Sequence, residues 1–300
     1  RAVLDALTAY ADAAGVRVEP GRRVRSLLLE GGHVAGVKTD DRSWRAPRVL
    51  VATGGLSYPA TGSTGDGYDL ARQAGHAVTP VFPAIVAFET AETWPRRLQG
   101  TPVKNAALAV RRNGRKWLEG FGEALWTHYG LSGPAVLEIS RDVVLALRRG
   151  EAISLELDMR PSDQEQQLDE RLLAAVKKEG KKQIDSVLAA WMPHRTATVL
   201  LEVHGVDPRK KMCQCSKADR KRIVRLVKRL ELNVARPRPI EEAIVTGGGV
   251  ALDQVDPKRM ESRLAPGLHF AGEVLDLDGP CGGFNLMAAF AAGRLVGETV

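Results

Sequence analysis

Two apolar runs near opposite ends of this 300-residue chain finish in the same way. Val49-Leu50-Val51-Ala52 leads into Thr53-Gly54-Gly55, and Leu268-His269-Phe270-Ala271 leads into Gly272-Glu273. Each reads as a buried strand of the kind found in parallel sheets, and each opens directly onto glycine. In open α/β sheets ligands bind beyond the carboxyl ends of the strands, and glycine there lets main chain approach a ligand with no Cβ between them. Either run alone fits ordinary turn chemistry. Together they favour a ligand edge, and the order of the chain, αβ, then β, then α, then αβ again, implies one discontinuous α/β unit with inserted domains.

The intervening sequence changes character twice. Over 78–160, short alternating segments recur at Ala106–Val110, Arg115–Glu119 and Ile153–Leu157, the pattern of an antiparallel sheet or small barrel. From Ser162 to about Leu232 the apolar period is helical and the charge density high. Ile244-Val245 reads as a strand and Thr246–Gly249 as a turn. Upstream, the pattern predicts a helix over 2–14, short strands at Val16–Glu19 and Arg23–Glu30, a hairpin through Gly31-Gly32, and a helix over Asp69–Ala74. The expected fold class is α/β: a discontinuous Rossmann-like domain (1–77 and 253–300) with an inserted β-barrel domain (78–160, returning at 234–252) and a helical subdomain (161–233). Leu4, Leu7, Tyr10 and Ala14 share a helical face and the first residue is Arg, so the chain is expected to start inside a helix, as a fragment would.

Two further loops carry chemistry. In Ser57–Tyr68, Thr64 or Asp66 could cap the helix that follows, but a cap alone would not need Thr-Gly-Ser-Thr-Gly-Asp-Gly; so much glycine beside an acceptor suits a loop around a polar cofactor. Near the end, Gly282-Gly283 opens a helix from Phe284, whose free N–H groups favour partial negative charge. Ala288, Ala289, Ala291, Ala292 and Gly293 keep that helix slim. Glu273, at a strand tip, would accept hydrogen bonds from a ribose-type or ribityl hydroxyl.

Ala52–Gly55, Thr64–Gly67, Ala271–Glu273 and Gly282–Leu286 resemble the pattern of FAD flavoproteins, broadly those of the succinate dehydrogenase and fumarate reductase type. Thr127–Leu137, Val245–Val250 and Met260–Arg263 are similar to the bacterial BaiN/YhiN family of NAD(P)/FAD-dependent oxidoreductases, and the resemblance covers nearly the whole chain. It implies a two-part FAD domain interrupted by a barrel and a helical domain, with hydride passing through flavin between NAD(P)H and an organic small molecule. By motif position it implies cofactor contacts at Val24, Ala52, Thr53, Gly54, Asp66, Gly272, Glu273, Gly283, Phe284, Asn285 and Leu286. Val24 would meet the adenine through its backbone, and the backbone at Asn285 and Leu286 would face the flavin pyrimidine edge. The family's opening Gly-x-Gly-x-x-Gly turn, its ribose-binding acidic residue and its Gly-Arg-Cys-Asn-like motif do not occur here; the resemblance places them upstream of Arg1.

The remaining features read more plainly. His128, before Gly130–Ala135, is the best candidate for a catalytic proton donor; equally, Ser132 and Pro134 could form a well-made helix start. Cys213-Gln214-Cys215 near His204 makes a poor zinc site, so no metal is expected. Cys281 fits a small spacer in a tight turn. Three cysteines form no disulfide framework, which fits a cytoplasmic setting. No segment has about 18 uninterrupted apolar residues, and no membrane span is expected. Net charge is +7, with much of the excess in Arg209–Arg229. Ile223, Leu226, Val227 and Leu230 form an apolar stripe there, so the charges read as a solvated face; the lack of interleaved aromatics argues against nucleic acid by stacking, which stands as the alternative function.

Overall fold

The computed structural model describes residues 2–300. Helix α1 (Ala2–Ala13) precedes an antiparallel sheet of β1 (Val24–Glu30), β2 (His33–Thr39) and β3 (Ser43–Arg45), then strand β4 (Val49–Val51) and helix α2 (Asp66–Gln73). There follow β5 (Phe82–Ile85), β6 (Phe88–Thr90), β7 (Pro102–Arg112), β8 (Arg115–Trp126), β9 (Gly130–Ser132), α3 (Pro134–Arg148) and β10 (Ile153–Asp158). Four helices come next: α4 (Glu165–Lys178), α5 (Ile184–Leu188), α6 (His194–Val203) and α7 (Lys217–Lys228). The chain closes with β11 (Leu230–Pro237), β12 (Val245–Gly247), β13 (Val255–Asp256), β14 (Glu261–Ser262), β15 (Leu268–Phe270) and α8 (Phe284–Thr299).

The alternation read over the middle of the chain closes on itself. Strands β10, β11, β6, β9, β8 and β7 form a closed barrel in that order, which leaves no barrel strand with an unpaired edge. The helices α4–α7 leave the barrel after β10 and return into β11. Helix α3 packs on β5, β7 and β8. Gly120 of β8 permits the approach, since a Cβ there would lie 2.7 Å from the carbonyl oxygen of Ala135. Ser140 ties the helix down, its hydroxyl donating to Ala84 O (2.9 Å) and accepting from Val86 N (3.1 Å).

The apolar interior divides in two. One core joins the barrel to the helical insert, from Phe88, Leu108 and Trp126 to Leu172, Leu200 and Ile223. The other, smaller, gathers Leu27, Val51, Tyr68, Leu70, Phe270 and Val274 from the first and last parts of the chain. Here β13, β14, β15 and β4 form a sheet in which β15 and β4 run parallel. No helix among the described residues is long and apolar enough to cross a membrane.

Four local expectations are corrected. Residues 16–19 are exposed and pair with no strand among the described residues. The helix expected from Asp69 starts at Asp66. Neither Thr64 nor Asp66 caps it; Gly65 does, at φ +81°, and Thr64 donates its hydroxyl to the Asp66 carboxylate instead (3.1 Å). Ser132 belongs to β9, and Gly133 is the residue before α3, with Pro134 in the first turn as its fixed φ favours.

Candidate functional site

Parallel pairing sets the site. Val49 lies opposite Leu268 and Val51 opposite Phe270, and Ala271 N donates to Val51 O (3.1 Å) beyond the last pair. Ala52–Gly55 and Ala271–Glu273 therefore emerge side by side. Glu273 is half-buried. Its Oε1 accepts from the hydroxyl of Ser57 (2.8 Å) and from the backbone N–H of Thr246 (2.9 Å). Thr246 in turn accepts on Oγ1 from Leu56 N (2.9 Å) and Ser57 N (3.0 Å). Three distant segments thus close around one carboxylate. Gly55 is required where they meet, because a Cβ there would lie 2.6 Å from Glu273 Oε1. Glu273 Oε2 makes no hydrogen bond among the described residues.

Helix α2 presses on the same edge. A Cβ at Gly67 would collide with Thr53 Oγ1 and lie 2.9 Å from Val274. Thr53 Oγ1 is shut from solvent and has no hydrogen-bond partner among the described residues. Beside Gly67, Asp66 is held by Arg23, whose Nε donates to it at 2.7 Å; that guanidinium, with Thr64, keeps the carboxyl below its ordinary range. Arg23 directly precedes Val24, so the start of β1 and the start of α2 are brought together. Tyr68 is buried beneath this loop, and burial, with the charges of Glu273 and Asp276 adding to it, pushes its phenol up to about 12.

Helix α8 completes the arrangement. Glu273, Gly272 and Asn285 border one hollow with Ala288, Ala289 and Ala292. It holds about 20 Å³, room for roughly one water, and so forms a floor rather than a ligand chamber. Asn285 turns its amide onto the preceding loop, accepting from Gly279 N (2.8 Å) and donating to Gly279 O (2.9 Å). Gly283 precedes the helix at φ +89°, a conformation natural to glycine. The first N–H groups, at Phe284, Asn285 and Leu286, have no acceptor within the helix, while the side chains of Phe284 and Leu286 are exposed.

The structure therefore brings Ala52, Thr53, Gly54, Asp66, Gly272, Glu273, Gly283 and Asn285 to the neighbourhood of two adjacent strand tips. His128 is not among them. It is exposed at the barrel, edge-on to Tyr129 at 4.8 Å between centroids. Arg238 lies over the other ring, 4.4 Å away, and is itself bound by Glu89 and Glu242. The link to the strand tips is indirect: Tyr58 N donates to Glu241 O (3.3 Å), and Tyr58 adopts a left-handed backbone (φ +49°) uncommon outside glycine. Burial pushes the Cys281 thiol up, away from thiolate reactivity. Among the described residues no group of His, Cys, Asp and Glu is placed to hold a metal. Ser57, Thr246 and Arg23 escaped the sequence reading; a threonine fixed inside the glycine run 246–249 was the one available signal.

A parallel pair ending in glycine, a glycine-led helix and a barrel inserted between the halves define a protein of the Rossmann-like class. The chain belongs to the HI0933-like family: the model described as "HI0933-like protein Rossmann domain" matches residues 1–299. It is 33% identical to the 3-dehydro-bile acid delta(4,6)-reductase of Clostridium scindens, over 94% of this chain and 69% of that protein. It is 30% identical to the ribosomal RNA dihydrouridine synthase of Haemophilus influenzae, over 92% of this chain and 63% of the relative. Against the Escherichia coli protein of that name the figures are 32%, 82% and 58%. The chain thus spans about three fifths to two thirds of the length of these relatives. A Mycobacterium smegmatis Sdh1 structure aligns with 98% of the chain and 44% of its own at 18% identity, with a TM-score of 0.39 too low to carry an argument.

Proposed function

We propose that this chain is the greater part of an FAD-dependent oxidoreductase that moves hydride from NAD(P)H to an organic acceptor. The observation that carries the reading is the convergence of Thr53, Gly67 and Glu273 on the paired tips of β4 and β15. The residues present fit part of a dinucleotide: among the described residues the enclosed Thr53 hydroxyl lacks a partner and Glu273 keeps one oxygen free, and glycine removes Cβ atoms along the edge. Glu273 Oε2 would take a ribose or ribityl hydroxyl. The first turn of α8 would set N–H groups against the flavin ring edge and favour negative charge there. FAD, when bound, supplies the hydride chemistry. Ser57 and Thr246 fix the Glu273 carboxylate, and His128, joined to the Tyr58 loop only through Tyr129, Arg238 and the 241–242 segment, is the proposed proton donor.

The reductase and dihydrouridine synthase names among the relatives support a reducible carbon–carbon double bond as the acceptor. The test is spectroscopic. Purified with whatever sequence naturally precedes it, the protein should be yellow, and NADH or NADPH should bleach it without oxygen. Glu273→Ala should purify colourless yet folded. A colourless wild-type protein that takes up no added FAD overturns the reading.

A further inference from the structure

The barrel and the helical insert leave a second hollow between them, which shares no residue with the strand-tip site. It holds about 220 Å³. Pro102 and Val103 at the start of β7, Met159 after β10, and Trp191 and Met192 between α5 and α6 make its apolar walls. The volume is below the range of pockets for drug-sized molecules and above the roughly 150 Å³ that accepts benzene. It suits one ring with a short arm. Two thioethers and an indole around the space favour an aromatic ring over an aliphatic one, because sulfur and π systems attract.

The same hollow collects donors that the protein leaves unmet. Thr196, in the first turn of α6, lines it and is 1% exposed. Its hydroxyl has no hydrogen-bond partner among the described residues. Pro193 precedes that helix, and the backbone N–H groups of His194, Arg195 and Thr196 find no acceptor among the described residues, as the opening turn of a helix leaves them. Asp185, the carboxylate at this end of α6, is already engaged by the Thr198 hydroxyl (3.1 Å) and by His194 (3.4 Å). Lys104 also lines the hollow, is exposed and makes no ion pair among the described residues. A bulge sets it there. Val103 pairs with Ala124 and Ala106 with Gly122, so β7 holds one residue more than β8 over this step. Asn105 takes the left-handed backbone (φ +51°) that asparagine tolerates. Bulges of this kind re-aim a side chain out of the ladder.

We propose that this hollow binds a small aromatic carboxylate. The ring lies among Met159, Trp191 and Met192, and the carboxylate meets Lys104, the Thr196 hydroxyl and the first N–H groups of α6, which favour negative charge. A neutral ring would fill the walls and leave those donors without an acceptor. A single lysine, with no arginine lining the hollow, matches one negative charge better than a phosphate, which arginine forks suit. The site is independent of the oxidoreductase reading and needs no flavin.

The test is titration of the whole chain with phenylacetate, followed by calorimetry and by tryptophan fluorescence. Binding should be saturable, and Trp191→Phe should remove the fluorescence response. Thr196→Val keeps the shape and should weaken binding at least about ten-fold, the worth of a hydrogen bond to a charged group. The same variant should melt no lower than the parent, because it deletes a buried hydroxyl that has no partner in the free protein; a merely structural threonine would lose stability instead. Lys104→Met should weaken phenylacetate about three-fold, as an exposed ion pair does, and leave the affinity for its neutral isostere phenylacetamide unchanged. Cyclohexylacetate, with the same charge and no π face, should bind several-fold more weakly than phenylacetate. The proposal is overturned if phenylacetate does not bind, if Thr196→Val binds it as the parent does, or if phenylacetamide or cyclohexylacetate binds equally well.

Discussion

Replacing Thr246 by Val removes one oxygen at almost constant volume. Leu56 and Ser57 lose the acceptor of their N–H groups, and a buried unsatisfied donor costs about 1–3 kcal/mol. Thr246→Val should therefore lower stability by about that amount, read as a reduced urea midpoint at unchanged slope, and should loosen the loop that carries Glu273. An unchanged midpoint would mean that the two N–H groups find other acceptors and that the hydroxyl does not hold the loop. The glycine-ended runs around this residue are legible because they are local patterns. The partnership of Thr246 with Leu56 and Ser57 is not, since it exists only once β4 and β15 have paired. The same holds for Arg23 and Asp66, whose contact crosses from the first sheet to α2.

Helix α2 is fastened to the sheet through His76. The imidazole is buried edge-on to Phe270 of β15 (4.9 Å), with Nε2 2.7 Å from the hydroxyl of Ser262 in β14. Burial lowers its pKa below the ordinary value of 6.5. The folded state therefore binds this proton less readily than the unfolded state. Stability contributed by neutral His76 is whole above about pH 6.5 and is lost as pH falls below it. The melting temperature should drop between about pH 7 and pH 5, and His76→Gln should flatten that part of the profile; an identical profile in the variant would remove His76 as its cause. Periodicity revealed most of these elements, yet it misjudged their ends. Ser132 has the chemistry of a cap, but ladder pairing with Leu125 claims it for β9. Val16–Glu19 has strand composition but pairs with no strand among the described residues.

Across the whole molecule the two cores differ in how far apart their parts lie in the chain. The barrel and helical insert close from one continuous span, whereas the smaller core needs β4 and β15 from opposite ends. Loop closure over such a distance is slow. Four tryptophans, Trp94, Trp117, Trp126 and Trp191, lie in or against the barrel core, so their fluorescence reports it once Trp44 is replaced by Phe. On refolding, that signal should recover before the amides of Phe270 and Ala271 become protected in pulse-labelled hydrogen exchange. Simultaneous recovery would indicate a single cooperative unit. The order has a meaning for synthesis: a ribosome delivers the guest complete while its host still lacks a strand. The glycine edge of the cradle is then the last surface to be born, and any ligand resting there would seal a molecule otherwise already assembled.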